Sequence, residues 1–366
     1  MCIVLLTTAH PSYALIVVDN RDEFILRPTS RPHWWTANGQ EILSSRDMQR
    51  EERGTWFGIT KTGSFAVLTN YRETNLADAD HPVQGTHSRG GMVTAWLAGP
   101  EEETTQEFVH RLLESGSVKG VGGFLLVCGK LRKRKDMAAG LEPLAILSNR
   151  SGRPDDVPWL LEKRGMAYGL SNTSYDDPIA WPKVKSGKEK LLKIIEEVTQ
   201  AGLGEEEMVG KLFALLDTDT LPQQNGQDFE DYIYQLRKSI FIPAIGQETS
   251  CGDRPRRDQI ATNGKPAMQI QADQPDPSSS ELRDEERPDA VTSSCMSGMY
   301  GTQRQTILLV DWDGHVTFFE RSLWDERGNP IERGKGDMKF EFQIEEWNTE
   351  SEGNETHAPG IGAEVL

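Results

Sequence analysis

No stretch of the sequence is apolar for long enough to cross a bilayer. The longest apolar runs, YALIVV at 13–18 and FLLV at 124–127, have the length of strands rather than the roughly 20 residues of a membrane helix. The N-terminal segment has no basic region and is interrupted by TTAHPS, so it matches neither a signal peptide nor a transit peptide. We therefore expect a soluble, cytoplasmic protein with no transmembrane segment.

Positive charge is in short supply. The 366 residues include 40 lysines and arginines against 57 aspartates and glutamates, which gives a formal net charge of −17. A field of this sign repels phosphate backbones and anionic lipid headgroups. This balance argues against nucleic acid as a partner and against simple electrostatic docking on a membrane.

Cysteine is scarce and histidine is scattered. The chain has four cysteines that lie far apart and form no CxxC pair: Cys2, Cys128, Cys251 and Cys295. This spacing suits neither a disulfide framework nor a zinc site, and it favours a reducing compartment. The seven histidines show no metal-ligand spacing, and there is no Walker loop or GxSxG elbow. We expect no metal site and no cofactor.

Alternating blocks of strand and helix patterns are present instead. The first block has four strand-like runs with turn residues between them: CIVLLTT, YALIVVD, TWFGIT and SFAVLTN. Two helical patterns, three further strands and three more helical patterns follow: GGMVTAWLAG, EEETTQEFVHRLLES, VGGFLLVCG, PLAILSN, MAYGLSN, Lys183–Val198, EEEMVGKLFALL and FEDYIYQLRKSI. The chain returns to strands in TILLVDWDGHVTFFERSL, with DWDGH as a hairpin turn. This order predicts an α+β fold with two layers of sheet flanked by helices.

One late region does not fit this pattern. Residues 247–297 are rich in Pro, Ser, Gln and charge and have no periodic apolar residues, and the tail at 348–366 is similar. We interpret the first as a disordered insertion and the second as a disordered tail. The remainder, 1–246 and 298–347, is then a single domain.

Cys2 becomes chemically interesting if Met1 is removed. Methionine aminopeptidases remove Met1 before a small residue such as cysteine, and the mature chain then begins with a thiol and a free α-amine on one residue. That amine titrates at about 7.7–8.0 when unperturbed, so it can act as general base for its own thiol. The alternative is that Cys2 is only a small strand residue.

The segment NRDE at 20–23 is the second candidate. If the first two strands pair as a hairpin around AHPSY, Arg21 and Asp22 return beside the N-terminus. Arg21 can then hold a thiolate, and Asp22 can accept hydrogen bonds from the α-ammonium group. The alternative is a solvated strand end with an internal Arg–Asp pair.

Two asparagines end strands in similar settings. Asn70 closes SFAVLTN and Asn172 closes YGLSN. A side-chain amide can donate a hydrogen bond to a developing oxyanion. Turn formation is the alternative role, because asparagine tolerates left-handed backbone angles.

Six short motifs in order resemble the NRDE family, which includes transport and Golgi organisation proteins: MCI, NRDE, GTWFGI, LTNYRE, YGLSN and YGT followed by TILLVDWDGHVTFFER. The likeness covers nearly the whole chain except 247–297 and the tail, and an insertion of this kind suits a fungal-type member. It implies the four-layer αββα sandwich of N-terminal nucleophile hydrolases.

The resemblance also implies roles for particular residues. Cys2 becomes the nucleophile with Arg21 and Asp22 as supports, and Asn70 and Asn172 become oxyanion donors. An arginine near the last strand pair completes such a site. The arginine expected directly after YGT is replaced by Gln303, however, and Arg304 follows one place later. A slip of one residue on a strand reverses the face of a side chain, which puts the role of Arg304 in question.

The function that the resemblance implies has two alternatives. In the first, the chain serves Golgi organisation and protein secretion as a carrier or trafficking factor, with haem, a lipid or acyl-CoA as its small-molecule ligand. Peripheral association with the Golgi or mitochondria belongs to this alternative. In the second, Cys2 makes the chain an amidohydrolase or thioesterase acting on a small amide or thioester. Whether the protein is an enzyme stays open at this point.

Overall fold

The structure is a computed structural model that describes residues 2–72, 87–118, 121–134, 140–175, 177, 181–222, 232, 234–246 and 298–347. The predicted insertion at 247–297 and the predicted tail at 348–366 lie outside the described residues, so the domain limits stay a prediction. Within the described residues, no helix is both long enough and apolar enough to span a membrane.

The described part of the chain forms two antiparallel sheets, and the first of them has six strands. They are β1 (Ile3–Thr7), β2 (Tyr13–Phe24), β10 (Ala167–Leu170), β11 (Tyr300–Asp311), β12 (His315–Ser322) and β13 (Asp337–Gln343). Their order across the sheet is β10-β1-β2-β11-β12-β13. Gly314 turns the chain between β11 and β12 with a φ of +83°, which confirms the predicted hairpin at DWDGH.

The second antiparallel sheet has seven strands in sequence order. They are β3 (His33–Ala37), β4 (Gln40–Ser44), β5 (Phe57–Thr60), β6 (Ser64–Asn70), β7 (Phe124–Lys130), β8 (Leu144–Ser148) and β9 (Trp159–Leu160). The strands β3, β4, β9 and β13 were not predicted from the sequence. Asn38-Gly39, with φ of 49° and 84°, is the turn between β3 and β4 and is a strong hairpin signal that was available.

Within the described residues, four α-helices cover the outer faces. They are α1 (Arg89–Leu97), α2 (Thr105–Glu114), α3 (Pro182–Ala201) and α4 (Glu205–Leu216). The acidic side chain of Glu107 closes a capping box with Thr104 at the start of α2. The helix predicted in FEDYIYQLRKSI falls partly outside the described residues. Of its described residues, Tyr232 is α-helical and Tyr234–Lys238 form a short 3-10 helix, so the prediction of an α-helix is wrong over Tyr234–Lys238.

Three apolar clusters fix the order of the layers. One lies between the sheets and joins Val17 of β2 and Leu308 of β11 to Phe65 of β6. The second packs α3 and α4 on the six-stranded sheet, and the third packs α1 and α2 on the seven-stranded sheet. Alternate residues of each strand face opposite layers, so every central strand is buried on both faces. The result is a four-layer αββα sandwich, which confirms the predicted fold class.

The candidate NRDE segment lies inside β2 rather than after it. β2 continues to Phe24, and Asn20, Arg21 and Asp22 are all buried. The idea of a solvated strand end is therefore wrong. The polar residues are held because β11 pairs along the whole length of β2, from Tyr13 to Phe24.

Candidate active site

Cys2 lies at the edge where the two sheets meet. β1 pairs with β2 so that Ile3 faces Asn20, which brings Cys2 beside the NRDE segment as the hairpin prediction required. The Cys2 thiol is buried and points its Sγ at the backbone carbonyl of Asp22, 3.6 Å away. The hydroxyl of Ser171, directly after β10, donates to the Cys2 carbonyl at 2.6 Å. The side chain of Cys2 therefore contacts β2, and its backbone carbonyl is bound by the residue that follows β10.

Burial controls the protonation of this thiol. Loss of solvent raises the pKa of Cys2 from 9.0 to about 11; the N-terminal ammonium lowers this pKa, and the negative charges of Asp22 and Asp19 raise it further. The thiol is consequently protonated at neutral pH in this arrangement. A nucleophilic role therefore requires a base or a nearby positive charge when the thiolate forms.

Asp22 faces the helix layer. Its Oδ1 accepts a hydrogen bond from the Thr302 hydroxyl at 2.7 Å, and the same hydroxyl accepts from the backbone N–H of Ile242. Its backbone carbonyl also accepts from the Tyr300 hydroxyl at 3.2 Å. Burial raises the pKa of Tyr300 well above its usual range, so this hydroxyl stays a donor. Asp22 is thus held through both its side chain and its backbone.

Arg21 leaves β2 on the opposite face, between the sheets. Its Nη2 donates to Oε1 of Gln303 at 2.7 Å, and its guanidinium lies 4.5 Å from the centre of the Trp56 ring. Burial lowers the pKa of Arg21, with nearby acidic groups opposing that effect. In this arrangement the sequence-predicted partners of Cys2 point into two different layers.

A β-bulge decides the position of Arg304. Thr302 pairs with Asp22 and Arg304 pairs with Arg21, so Gln303 is an extra residue on β11. Because of this extra residue, the side chain of Arg304 lies on the same face of the sheet as Arg21, although Arg304 stands one position later in the sequence than expected. Arg304 and Arg21 line the same small cavity between the sheets, about 10 Å³ in volume. Gln303, which the sequence reading treated only as a departure, is the acceptor that holds Arg21.

A buried cluster of charges surrounds these two arginines. Glu320 lies 3.6 Å from Nε of Arg304 and 3.7 Å from Nε of Arg31, and it accepts a hydrogen bond from the Ser45 hydroxyl. Burial lowers the pKa of Arg304 to about 10, while Glu320 opposes that shift. Burial also raises the pKa of Asp19, in the same cavity wall, to about 8. Sequence spacing gave no signal for Glu320, which comes from β12.

Asn70 and Asn172 come together from different sheets. Nδ2 of Asn172, beyond β10, donates to the backbone carbonyl of Asn70 at the end of β6, at 2.6 Å. The neighbouring Thr69 hydroxyl donates to the Ser171 carbonyl at 2.9 Å. These bonds join the two sheets beside Cys2. The bridge uses one of the two amide hydrogens of Asn172.

Lys183 is a site residue that the sequence reading missed. It lies in the first turn of α3 with no exposed surface, and its ammonium interacts with the charges of Asp22 and Cys2. Burial lowers its pKa. The sequence does contain an indication of this residue. A lysine in the first turn of a helix lies near the positive end of the helix dipole, which is unfavourable unless a negative group is close by.

A cavity of about 290 Å³ opens next to Asp22, and we call it the β2-end cavity. Its walls come from the end of β2, the end of β6 and the start of α1, and they include Asp22, Phe24, Arg27, Arg50, Trp56, Asn70, Arg89 and Tyr300. Arg27 is already paired with Asp47 at 2.7 Å and with Glu23 at 3.4 Å. The cavity therefore combines aromatic surface with charged side chains of both signs, because Glu23 and Asp47 line it together with Asp22.

The family model described as Transport and Golgi organisation 2 matches residues 1–325 of this chain. The chain belongs to this family. The assignment confirms the resemblance drawn from the six short motifs.

Two relatives show how far the Transport and Golgi organisation 2 likeness extends. The Transport and Golgi organization protein 2 homolog of Homo sapiens is 31% identical over 318 residues, covering 86% of this chain and 88% of its own. An uncharacterized protein of Saccharomyces cerevisiae is 25% identical over 362 residues, covering 94% of this chain and 100% of its own.

Among solved structures, the chain is similar to a Caenorhabditis elegans N-acylethanolamine-hydrolyzing acid amidase ortholog. The identity is 12% and the TM-score 0.37, with 65% of this chain and 98% of that chain covered.

Proposed function

We propose that this chain acts in Golgi organisation and protein secretion by binding a small-molecule ligand in the β2-end cavity. The observation that carries the proposal is the position of that cavity. Asp22 lines it, and the carbonyl of Asp22 is the hydrogen-bond acceptor of the Cys2 thiol. A bound ligand would therefore touch Asp22, the residue that contacts the Cys2 thiol. The name of the family supports the cellular role.

The side chains of the cavity favour a ligand with an apolar part and an anionic part. Trp56, Phe24 and Tyr300 offer aromatic surface. Glu23 and Asp47 are paired with Arg27, so Arg50 and Arg89 outnumber the remaining carboxylate, Asp22. Haem and acyl-CoA both combine these features, whereas a neutral lipid has no anionic group. The volume of about 290 Å³ lies at the lower end for ligand sites. Only one end of a large ligand would be enclosed.

Equilibrium binding to the purified full chain tests this proposal. Haem, a long-chain acyl-CoA and a neutral lipid are titrated separately. We expect saturable binding of haem or acyl-CoA, weakened about tenfold by Arg50→Glu and by Trp56→Ala, a loss of roughly 1.4 kcal/mol. Arg153→Glu is the control, because Arg153 is exposed and lies outside the cavity. Failure of all three ligands to bind, or equal affinity in every variant, would contradict the proposal.

A second candidate is an N-terminal cysteine amidohydrolase or thioesterase, favoured by the crowding of polar groups around Cys2. After removal of Met1, the Cys2 thiolate would attack an amide or thioester carbonyl and its α-amine would carry the proton. The amide of Asn172, already oriented by Asn70, would donate to the oxyanion. The tetrahedral intermediate would then collapse, breaking the bond from the carbonyl carbon to nitrogen or sulfur, and the amine or thiol would leave with the proton from the α-ammonium group. Water would hydrolyse the acyl-cysteine, releasing the carboxylic acid and regenerating the Cys2 thiol.

The second candidate is tested by mass and by turnover. The intact mass of protein from its own host shows whether Met1 is removed, and an acyl probe shows which thiol is labelled. We expect loss of Met1, a label on Cys2 and hydrolysis that Cys2→Ala abolishes. Cys128→Ala is the matched control, since Cys128 is a buried thiol of β7. Full turnover in Cys2→Ala would exclude the hydrolase.

A further inference from the structure

The first turn of α3 contains an unusual residue for its position. Lys183 follows Pro182 at the start of the helix and has no solvent-exposed surface. Burying an ammonium group is unfavourable unless an anion compensates it. The helix dipole adds a second cost, because the N-terminal end of a helix is itself positive. A negative partner must therefore lie nearby for this lysine to be retained in charged form.

The fold brings that turn to the Cys2 end of the sheet. β10 runs antiparallel to β1, with Leu170 opposite Val4, so the end of β10 lies beside the start of β1. α3 then returns over the same two strands. Gly187, one turn after Lys183, is so close to β1 that a Cβ there would meet Cδ1 of Leu5 at 2.8 Å. The turn that carries Lys183 lies beyond this contact, toward Cys2.

Lys183 interacts electrostatically with two groups of the candidate site. The charges of Asp22 and of the Cys2 thiolate favour the charged form of the lysine, against the effect of burial. The aromatic ring of Trp181 lies 5.8 Å from Nζ on the helix side. Coulomb attraction is mutual, so a cation stabilised by Asp22 and Cys2 stabilises both of them in return.

We propose that Lys183 is a positioning residue of the Cys2 site, where its buried ammonium compensates the Asp22 carboxylate and stabilises the Cys2 thiolate. Burial, Asp22 and Asp19 disfavour the thiolate, and the N-terminal ammonium favours it. Lys183 is a buried cation of the helix layer, and its interaction with the charge of Cys2 adds to that of the ammonium. Arg21, the cation that the sequence suggested for this role, also interacts with the charge of Cys2, but its guanidinium lies between the sheets and donates to Gln303. The inference rests on the proposed hydrolase only in taking Cys2 as its nucleophile.

The pH dependence of Cys2 alkylation tests the role of Lys183 without any substrate. Iodoacetamide is added to the full chain from pH 6 to pH 11, and mass spectrometry of the Cys2 peptide separates this thiol from the other three. The thiolate sulfur attacks the reagent and iodide leaves, so the rate follows the thiolate fraction. We expect Lys183→Met to raise the apparent pKa and to lower the rate at pH 8 about tenfold.

Two variants separate charge from packing. Lys183→Arg keeps the charge, and we expect it to stay within about threefold of the wild type. Lys185→Met changes an exposed lysine in the same turn and is expected to leave the profile unchanged. Coinciding pH profiles for the wild type and Lys183→Met would overturn the inference, as would an equal loss in Lys183→Arg and Lys183→Met.

A second background covers the case in which Lys183→Met does not fold. Asp22→Asn removes the buried carboxylate that the lysine compensates, so Asp22→Asn with Lys183→Met is compared with Asp22→Asn alone. The same drop in thiolate fraction supports the inference, and no drop overturns it. Because thiolate formation is measured directly, a chain without hydrolase turnover can still show the Lys183 effect. The two proposals therefore fail separately.

Discussion

Arg304 lies directly opposite Arg21 in the pairing of β11 with β2, although the preceding pair joins Thr302 to Asp22. Two arginines facing one another in a buried layer repel, so their arrangement depends on the groups around them. Gln303 accepts from Arg21, and Glu320 lies beside Arg304. The bulge at Gln303 therefore sets both the facing of Arg304 and the partner of Arg21.

Gln303→Ala should destabilise the protein by about 1–3 kcal/mol, because the buried Arg21 guanidinium loses its acceptor. The carbonyls of Ile25 and Arg27 also lose the donor that Gln303 provides. Urea unfolding measures the change. Gln343→Ala, on the exposed face of β13, is the control and should stay within about 0.5 kcal/mol of the wild type. Equal stability of the two variants would contradict this account of the bulge.

Glu320→Gln should destabilise the protein by about 3–5 kcal/mol, since it removes the carboxylate from a buried cluster that holds Arg304 and Arg31. Thermal or urea unfolding provides the measurement. Glu341→Gln removes an exposed carboxylate that pairs with Lys339, and a change below about 1 kcal/mol is expected there. A small effect at Glu320 would show that the arginines find other compensation.

The pKa of Asp19 predicts how stability depends on pH. It is raised from 3.8 to about 8 by burial, so between these values the native state keeps a proton that the unfolded state has lost. Stability from this group therefore falls as the pH rises, by at most about 1.4 kcal/mol per unit. Asp19→Asn should flatten the dependence between about pH 4 and pH 8. An identical pH dependence of unfolding in the wild type and Asp19→Asn would refute this assignment.

Asn172→Ala should loosen the bridge between the two sheets by removing the hydrogen bond from Nδ2 to the Asn70 carbonyl. A loss of about 1–2 kcal/mol is expected, because a buried carbonyl loses its donor. Hydrogen exchange should also rise at the ends of β6 and β10 and not at β12. Asn329→Ala, in an exposed turn with a bond to Asp325, is the control. Exchange that rises equally at all three strands would argue for a global effect.

The fold class could be predicted because strand and helix patterns are local properties of the sequence. Alternation of apolar blocks gave the layers, and the β1–β2 hairpin gave the neighbourhood of Cys2 and Arg21. The β3–β4 hairpin was not predicted, although Asn38-Gly39 is a typical hairpin turn. The strand before that turn, HWWTA, is not a continuous apolar run, and the prediction of strands relied on such runs. The extent of β2 was misjudged because charged residues normally end a strand, whereas pairing with β11 keeps these buried.

The sequence by itself determined the αββα layers, the family and the set of polar residues near the N-terminus. Only the tertiary structure decided which of those residues share a layer. Arg21 and Asp22 are adjacent in sequence but leave β2 on opposite faces, and a bulge places Arg304 on the face of Arg21. Lys183 lies in a helix about 160 residues after Asp22 in the sequence. These placements depend on long-range pairing and burial, which no local pattern encodes.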